Sequence, residues 1–153
     1  TQNITFSVAS SSVNKIANNS SDPTNNSISA SYSKNLDSFK INGGVKFTDR
    51  KSKTASFSGT DQNVFLEVKY PMGRHDIYAK YSHTESSDDV KRTTQPAARE
   101  QTSQFYEVGY SMPIPVTDFA KITFYANRLD ASSNLALFKS DATTFGLEAS
   151  LNF

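Results

Sequence analysis

The chain has 153 residues, 16 Lys and Arg against 15 Asp and Glu, a net charge of +1 and no cysteine. That length makes a single domain, and the missing thiols exclude a disulfide framework or a thiolate metal site. Scattered charges of both signs exclude a basic nucleic-acid surface, and no apolar run approaches the roughly 20 residues of a transmembrane helix.

In chain order, Ile4, Phe6 and Val8 alternate with Thr5 and Ser7 as a first strand. It fades into a Ser/Asn-rich loop from Ala9 to Asn26 that contains Pro23. Ile28, Ala30 and Tyr32 form the apolar side of a second strand. A short turn through Lys34 to Asp37 leads to Phe39, Ile41, Gly43, Val45 and Phe47, opposite Lys40, Asn42, Gly44 and Lys46. The polar stretch Thr48 to Thr60 follows, then Val64, Leu66, Val68 and Tyr70 alternate with Phe65, Glu67 and Lys69. Pro71 to Arg74 is a tight turn, since proline cannot continue a ladder and glycine supplies turn dihedrals. Ile77, Ala79 and Tyr81 follow, opposite Tyr78, Lys80 and Ser82.

The longest polar segment, Thr84 to Thr102, precedes Tyr106, Val108, Tyr110 and Met112, which oppose Phe105, Glu107, Gly109 and Ser111. After a turn beginning at Pro113 come Ala120, Ile122, Phe124 and Ala126, then a loop from Asn127 to Asp141. The chain ends ATTFGLEASLNF, with Phe145, Leu147, Ala149 and Leu151 on one side and Glu148 among the residues between. Every segment has a period of two, so each is a strand with one apolar and one polar face. Eight strands result, joined alternately by long loops and short turns.

Both a soluble and a membrane barrel fit such alternation, because the pattern does not say which face is outside. Three features favour an apolar exterior. Charges recur at mid-strand on the polar faces: Lys40, Lys46, Glu67, Lys69, Lys80, Glu107, Lys121 and Glu148. Cross-paired, they would fill an eight-stranded interior. Aromatics gather at the strand ends: Tyr32, Phe39, Tyr70, Tyr110 and Phe153 by the short turns, Phe47 and Tyr81 by the loops. They have the placement of two interfacial girdles. Finally, all long connections lie on one side.

With its terminal Phe153 and strand-loop pattern, the chain resembles the small Gram-negative outer-membrane β-barrels of the eight-stranded OmpA/OmpX type. The resemblance implies an all-β, antiparallel up-and-down transmembrane barrel over 1–153, with short periplasmic turns, long extracellular loops and both termini periplasmic. It also implies recognition of the last strand by the barrel assembly machinery. Two expectations concern the amino end: Thr1 begins a mature form, and the short apolar first hairpin either starts inside its first strand or belongs to a larger barrel.

A packed lumen points to a structural or surface-interaction role rather than bulk transport, without cofactor or metal. The alternatives are a narrow channel or lateral transporter for small or apolar molecules, and a lipid A modifying enzyme. An acyl hydrolase needs a His activating a Ser. Of the two histidines, His75 sits at a short turn, and His83 has Ser82 on the opposite face of its strand and Glu85 on the same face. A rim histidine is the plainer reading. The loop residues Arg50, Lys51 and Lys53 are candidates for lipopolysaccharide phosphates. Leu135, Leu137 and Phe138, within Asn134 to Phe138, are candidates for a protein partner or for packing between loops.

Overall fold

The computed structural model describes residues 2–12, 24–51, 58–91, 94–114 and 120–151. Phe153, Lys53 and most of the first two polar stretches therefore lie outside the described residues. The rest is one antiparallel meander in the order β1 to β8. The strands are β1 Gln2–Ser12, β2 Thr24–Asn35, β3 Lys40–Lys51, β4 Gly59–Met72, β5 His75–Asp88, β6 Glu100–Pro113, β7 Ala120–Ser133 and β8 Ser140–Leu151. Among the described residues, no pairing joins β1 to β8, so the sheet has two open edges.

The alternating faces come out as the period of two requires. The outward residues are Ile4, Phe6 and Val8 of β1, Leu66 of β4, Val108 of β6 and Leu147 of β8, all exposed. Apolar burial is confined to Ala120 and Leu135 among the described residues, whereas Asp76 and Asp88 are buried. The sheet therefore curves around its charged face and turns its apolar face out. Between β4 and β5 the turn consists of Gly73 and Arg74, and Gly73 has φ 66°, the positive angle that a two-residue hairpin turn needs at its first central position.

All eight strands run further than their apolar residues indicate. β1 continues to Ser12, β3 to Lys51, β5 to Asp88 and β7 to Ser133, while β2 begins at Thr24, β4 at Gly59, β6 at Glu100 and β8 at Ser140, all inside stretches expected as loops. Pro71 and Met72, expected in the turn, end β4 opposite Asp76 and His75. The hydrogen-bond ladder holds these ends, as in Thr60↔Ser87 and Gln101↔Ser133. Polar side chains extend a strand as well as apolar ones do, provided the backbone partners continue. The last connection contains a short 3-10 turn, Ala136–Phe138, before β8 begins at Ser140.

Candidate functional site

The charged face carries the first candidate residues. Across β5 and β6, in register, Lys80 Nζ donates to Glu107 Oε1 at 2.9 Å and lies 4.7 Å from the Tyr78 ring centroid. Lys69 and Lys121 are drawn together by a residue that the sequence reading passed over. Asp76 Oδ2 lies 2.9 Å from Lys69 Nζ and 3.5 Å from Lys121 Nζ, joining β4, β5 and β7. Asp76 has the same parity as Lys80 on β5, which was the available signal. Lys40, Lys46, Glu67 and Glu148 share the face but form no ion pair among the described residues.

Between these charges the face is filled by aromatic rings. Tyr78 lies over Gly109 and Tyr125 over Gly146, each pair in direct register. A Cβ at either glycine would collide with the ring. These glycines make room for large side chains laid across the neighbouring strand.

At the loop end the second cluster forms. The Asp88 side chain is fully buried, and its Oδ1 accepts from Arg50 Nη2 and Arg99 Nη2, both at 3.1 Å. Arg50 Nε also lies 2.9 Å from Asp61 Oδ2. Arg50, expected at the outer rim, thus turns inward, because it shares its parity with Lys46 and Thr48 along β3. Lys51 faces the other way and pairs with Asp49 at 3.3 Å.

Arg99 extends the cluster to the last connection. Its guanidinium lies 5.2 Å from the Phe138 ring centroid and donates to Gln101 at 3.2 Å. Asn134 donates through Nδ2 to the Ala98 carbonyl at 2.7 Å and accepts from the Glu100 amide at 2.9 Å. Of the apolar residues there, Leu135 is buried, Phe138 is half-buried against Arg99, and Leu137 is 85% exposed. The β5–β6 connection is thereby tied to the β7–β8 connection, on which Leu137 stands exposed.

On the apolar face, the aromatics expected near strand ends point outward. Phe39 and Tyr70 stack tilted at 5.1 Å. Tyr110 Oη contacts His75 Nδ1 at 2.6 Å, with the rings stacked, and Tyr32 Oη donates to Gln2 at 3.3 Å. At the loop end Tyr81 meets Tyr106 at 5.2 Å, and Phe47 is exposed. Tyr106 is an addition to the expected set, visible from its parity alone.

Above these aromatics the outward positions become polar. His83 Nε2 lies 3.3 Å from Glu85 Oε1, and the register sets His83 beside Val64 and Gln104. The imidazole has a carboxylate neighbour, while Ser82 stays on the other face. Arg128 binds Asp130 through Nε and Nη2 at 2.9 Å and reaches Asp141 at 3.0 Å. Hydrogen bonds from Arg128 hold the Asp130 carboxyl below its ordinary value.

The last apolar outward residue before this polar collar is Val8, Ile28, Phe47, Val64, Tyr81, Tyr106, Ala126 and Phe145 on β1 to β8. Val8 faces Ile28, Ile28 faces Phe47, Tyr81 faces Tyr106 and Ala126 faces Phe145. At the other three pairings Phe47 faces Gln62, Val64 faces His83 and Tyr106 faces Arg128, so the boundary steps by two residues each time, in one direction. At strand spacings of about 4.8 Å and rises of about 3.3 Å, a level boundary then means strands inclined by about 30°.

No match was found when the chain was compared with family profiles, with curated proteins and with solved structures.

Proposed function

We propose that this chain is an outer-membrane β-barrel with a side-chain-filled interior, acting as a structural or surface-interaction protein through its loop-side surface. The observation that carries this reading is the inverted distribution of side chains. Large apolar residues stand exposed on one face, while lysines, glutamates and aspartates pair on the other. In water that arrangement forgoes roughly 1.5–3 kcal/mol for each large side chain left exposed, against a typical total stability of about 5–15 kcal/mol. In hydrocarbon the same face is solvated without cost, and closure of β1 on β8 would satisfy the open edges that a bilayer does not tolerate.

The stepping of the apolar boundary in a single direction supports the same reading, since an inclined belt is what tilted barrel strands require. In this orientation the short turns and both termini are periplasmic and the long loops extracellular. The paired charges and the rings of Tyr78 and Tyr125 are the groups that would fill the lumen of the closed barrel. Leu137, presented on a surface tied down by Arg99 and Asn134, is the contact we assign to a protein partner.

Refolding into phospholipid vesicles tests this. The expected result is heat-modifiable mobility on a gel, protection of the strands from protease, and silence in planar bilayers. A stable monomer in plain buffer without detergent would overturn the membrane reading, and a steady ohmic conductance would overturn the filled interior.

A further inference from the structure

The lipid-facing side of the proposed barrel is not uniform. One hydrogen-bonded line crosses it through Val68, Ala79, Val108, Ala126 and Phe145, from β4 to β8. The line above it holds Leu66, Tyr81, Tyr106 and Arg128. The two alanines beside tall rings leave a depression of about 600 Å³ on the outer face. It spans four strand spacings, about 19 Å, which is the length scale of one extended acyl chain.

The trough is inclined. Its β8 end, Phe145, is the last apolar residue before the collar, and so is Ala126; Ala79 and Val108 lie one outward position deeper, and Val68 two. It therefore descends from the collar at β7 and β8 into the middle of the apolar belt at β4. Above the upper end stand Arg128, Asp130 and Asp141, with Glu85 two strands away on the same face. Asp130 and Asp141 share the single Arg128 guanidinium, Glu85 lies against His83, and the Asp141 side chain is 68% exposed. An anionic phosphate alone is repelled by that balance, whereas an ammonium is attracted.

We infer that this trough holds one acyl chain of an ethanolamine phospholipid, with the headgroup ammonium on Asp141 and the chain running down past Ala126 and Ala79 toward Val68. The inference rests on the membrane reading above. The ammonium contact is a partly exposed ion pair, so its share of the selectivity is about threefold to fivefold.

The test uses the full chain refolded in detergent micelles and titrated with phosphatidylethanolamine or phosphatidylglycerol, with bound lipid read by native mass spectrometry. The chain is expected to retain the ethanolamine lipid about threefold to fivefold better. Asp141→Asn should level the two lipids while binding persists. The double variant Ala79→Phe and Ala126→Phe should lose both lipids yet keep its heat-modifiable mobility. Equal retention by the filled-trough variant, or a preference unaffected by Asp141→Asn, overturns the inference while leaving the barrel intact. A chain without heat-modifiable mobility overturns the barrel and the inference together.

Discussion

Closure of the sheet gives the sharpest prediction, because the register of the missing pairing follows from the others. The apolar boundary steps by zero or two residues at each pairing and has moved three times between β1 and β8. A closing step of zero would leave the strands inclined by under about 30°, below the 35–45° usual for barrels, whereas a step of two raises the inclination to about 35°. With that step Val8 faces Leu147, and Phe6 faces Ala149, a large residue beside a small one on the same outward face.

Val8→Cys with Leu147→Cys therefore places two thiols at a cross-strand Cα distance of about 4.5–5.5 Å, within disulfide reach. The chain has no cysteine of its own, so the background is clean. The bridge closes a loop of about 140 residues, which the chain-entropy estimate converts to about 5 kcal/mol of stabilisation. The assay is intramolecular crosslinking of the refolded chain, scored by mobility on a non-reducing gel, followed by urea unfolding. Val8→Cys paired with Glu148→Cys should not crosslink, because Glu148 projects to the charged face. Equal crosslinking of that control, or efficient crosslinking of Val8→Cys with Ala149→Cys instead, would refute the register. Crosslinks formed only between molecules would refute closure itself.

Other outcomes follow from the packing. Asp88→Ala leaves two guanidinium groups without their shared buried carboxylate and should cost about 3–5 kcal/mol in urea unfolding. Arg50→Ala should act in the same way on stability, while Lys51→Ala, an exposed partner of Asp49, should change it by less than about 1 kcal/mol. Gly146→Val drives a side chain into the Tyr125 ring and should cost about 1–3 kcal/mol, visible in the same measurement. Leu137→Asp should leave unfolding unchanged, and if the loop surface contacts a partner it should abolish that contact in a pull-down on intact cells.

The strands and their faces were legible because side-chain parity is a strong signal over a segment of five or more residues, whereas the alternation of long and short connections holds only as far as β6: the β6–β7 and β7–β8 connections are each six residues long. Strand ends were not legible, since Thr84 to Asp88 is wholly polar and only the ladder to β4 and β6 keeps it extended. The same limit hid two parts of the candidate site. Asp76 was passed over between the turn and the first apolar residue of β5, and Arg50 looked like a loop cation, although continuing the parity of β5 and β3 puts both on the charged face. The apolar run Asn134 to Phe138 showed that packing between loops was open to Leu135, but not which loop would cover it. That packing depends on Asn134 meeting Ala98 and Glu100, residues more than thirty positions earlier in the chain.

The strictly sequential meander also bears on how fast the chain folds. Each of the seven pairings joins neighbours in sequence, so the sheet can grow hairpin by hairpin from contacts of short range. In the proposed barrel the β1–β8 closure would be of another kind, since it would bring together segments about 140 residues apart. That loop costs roughly 2 kcal/mol more entropy than closing one of ten residues. For the proposed barrel that last event would set the pace: a nearly complete sheet would wait with both edges bare, and its rate of closure would decide whether it reaches a barrel or pairs with a neighbour.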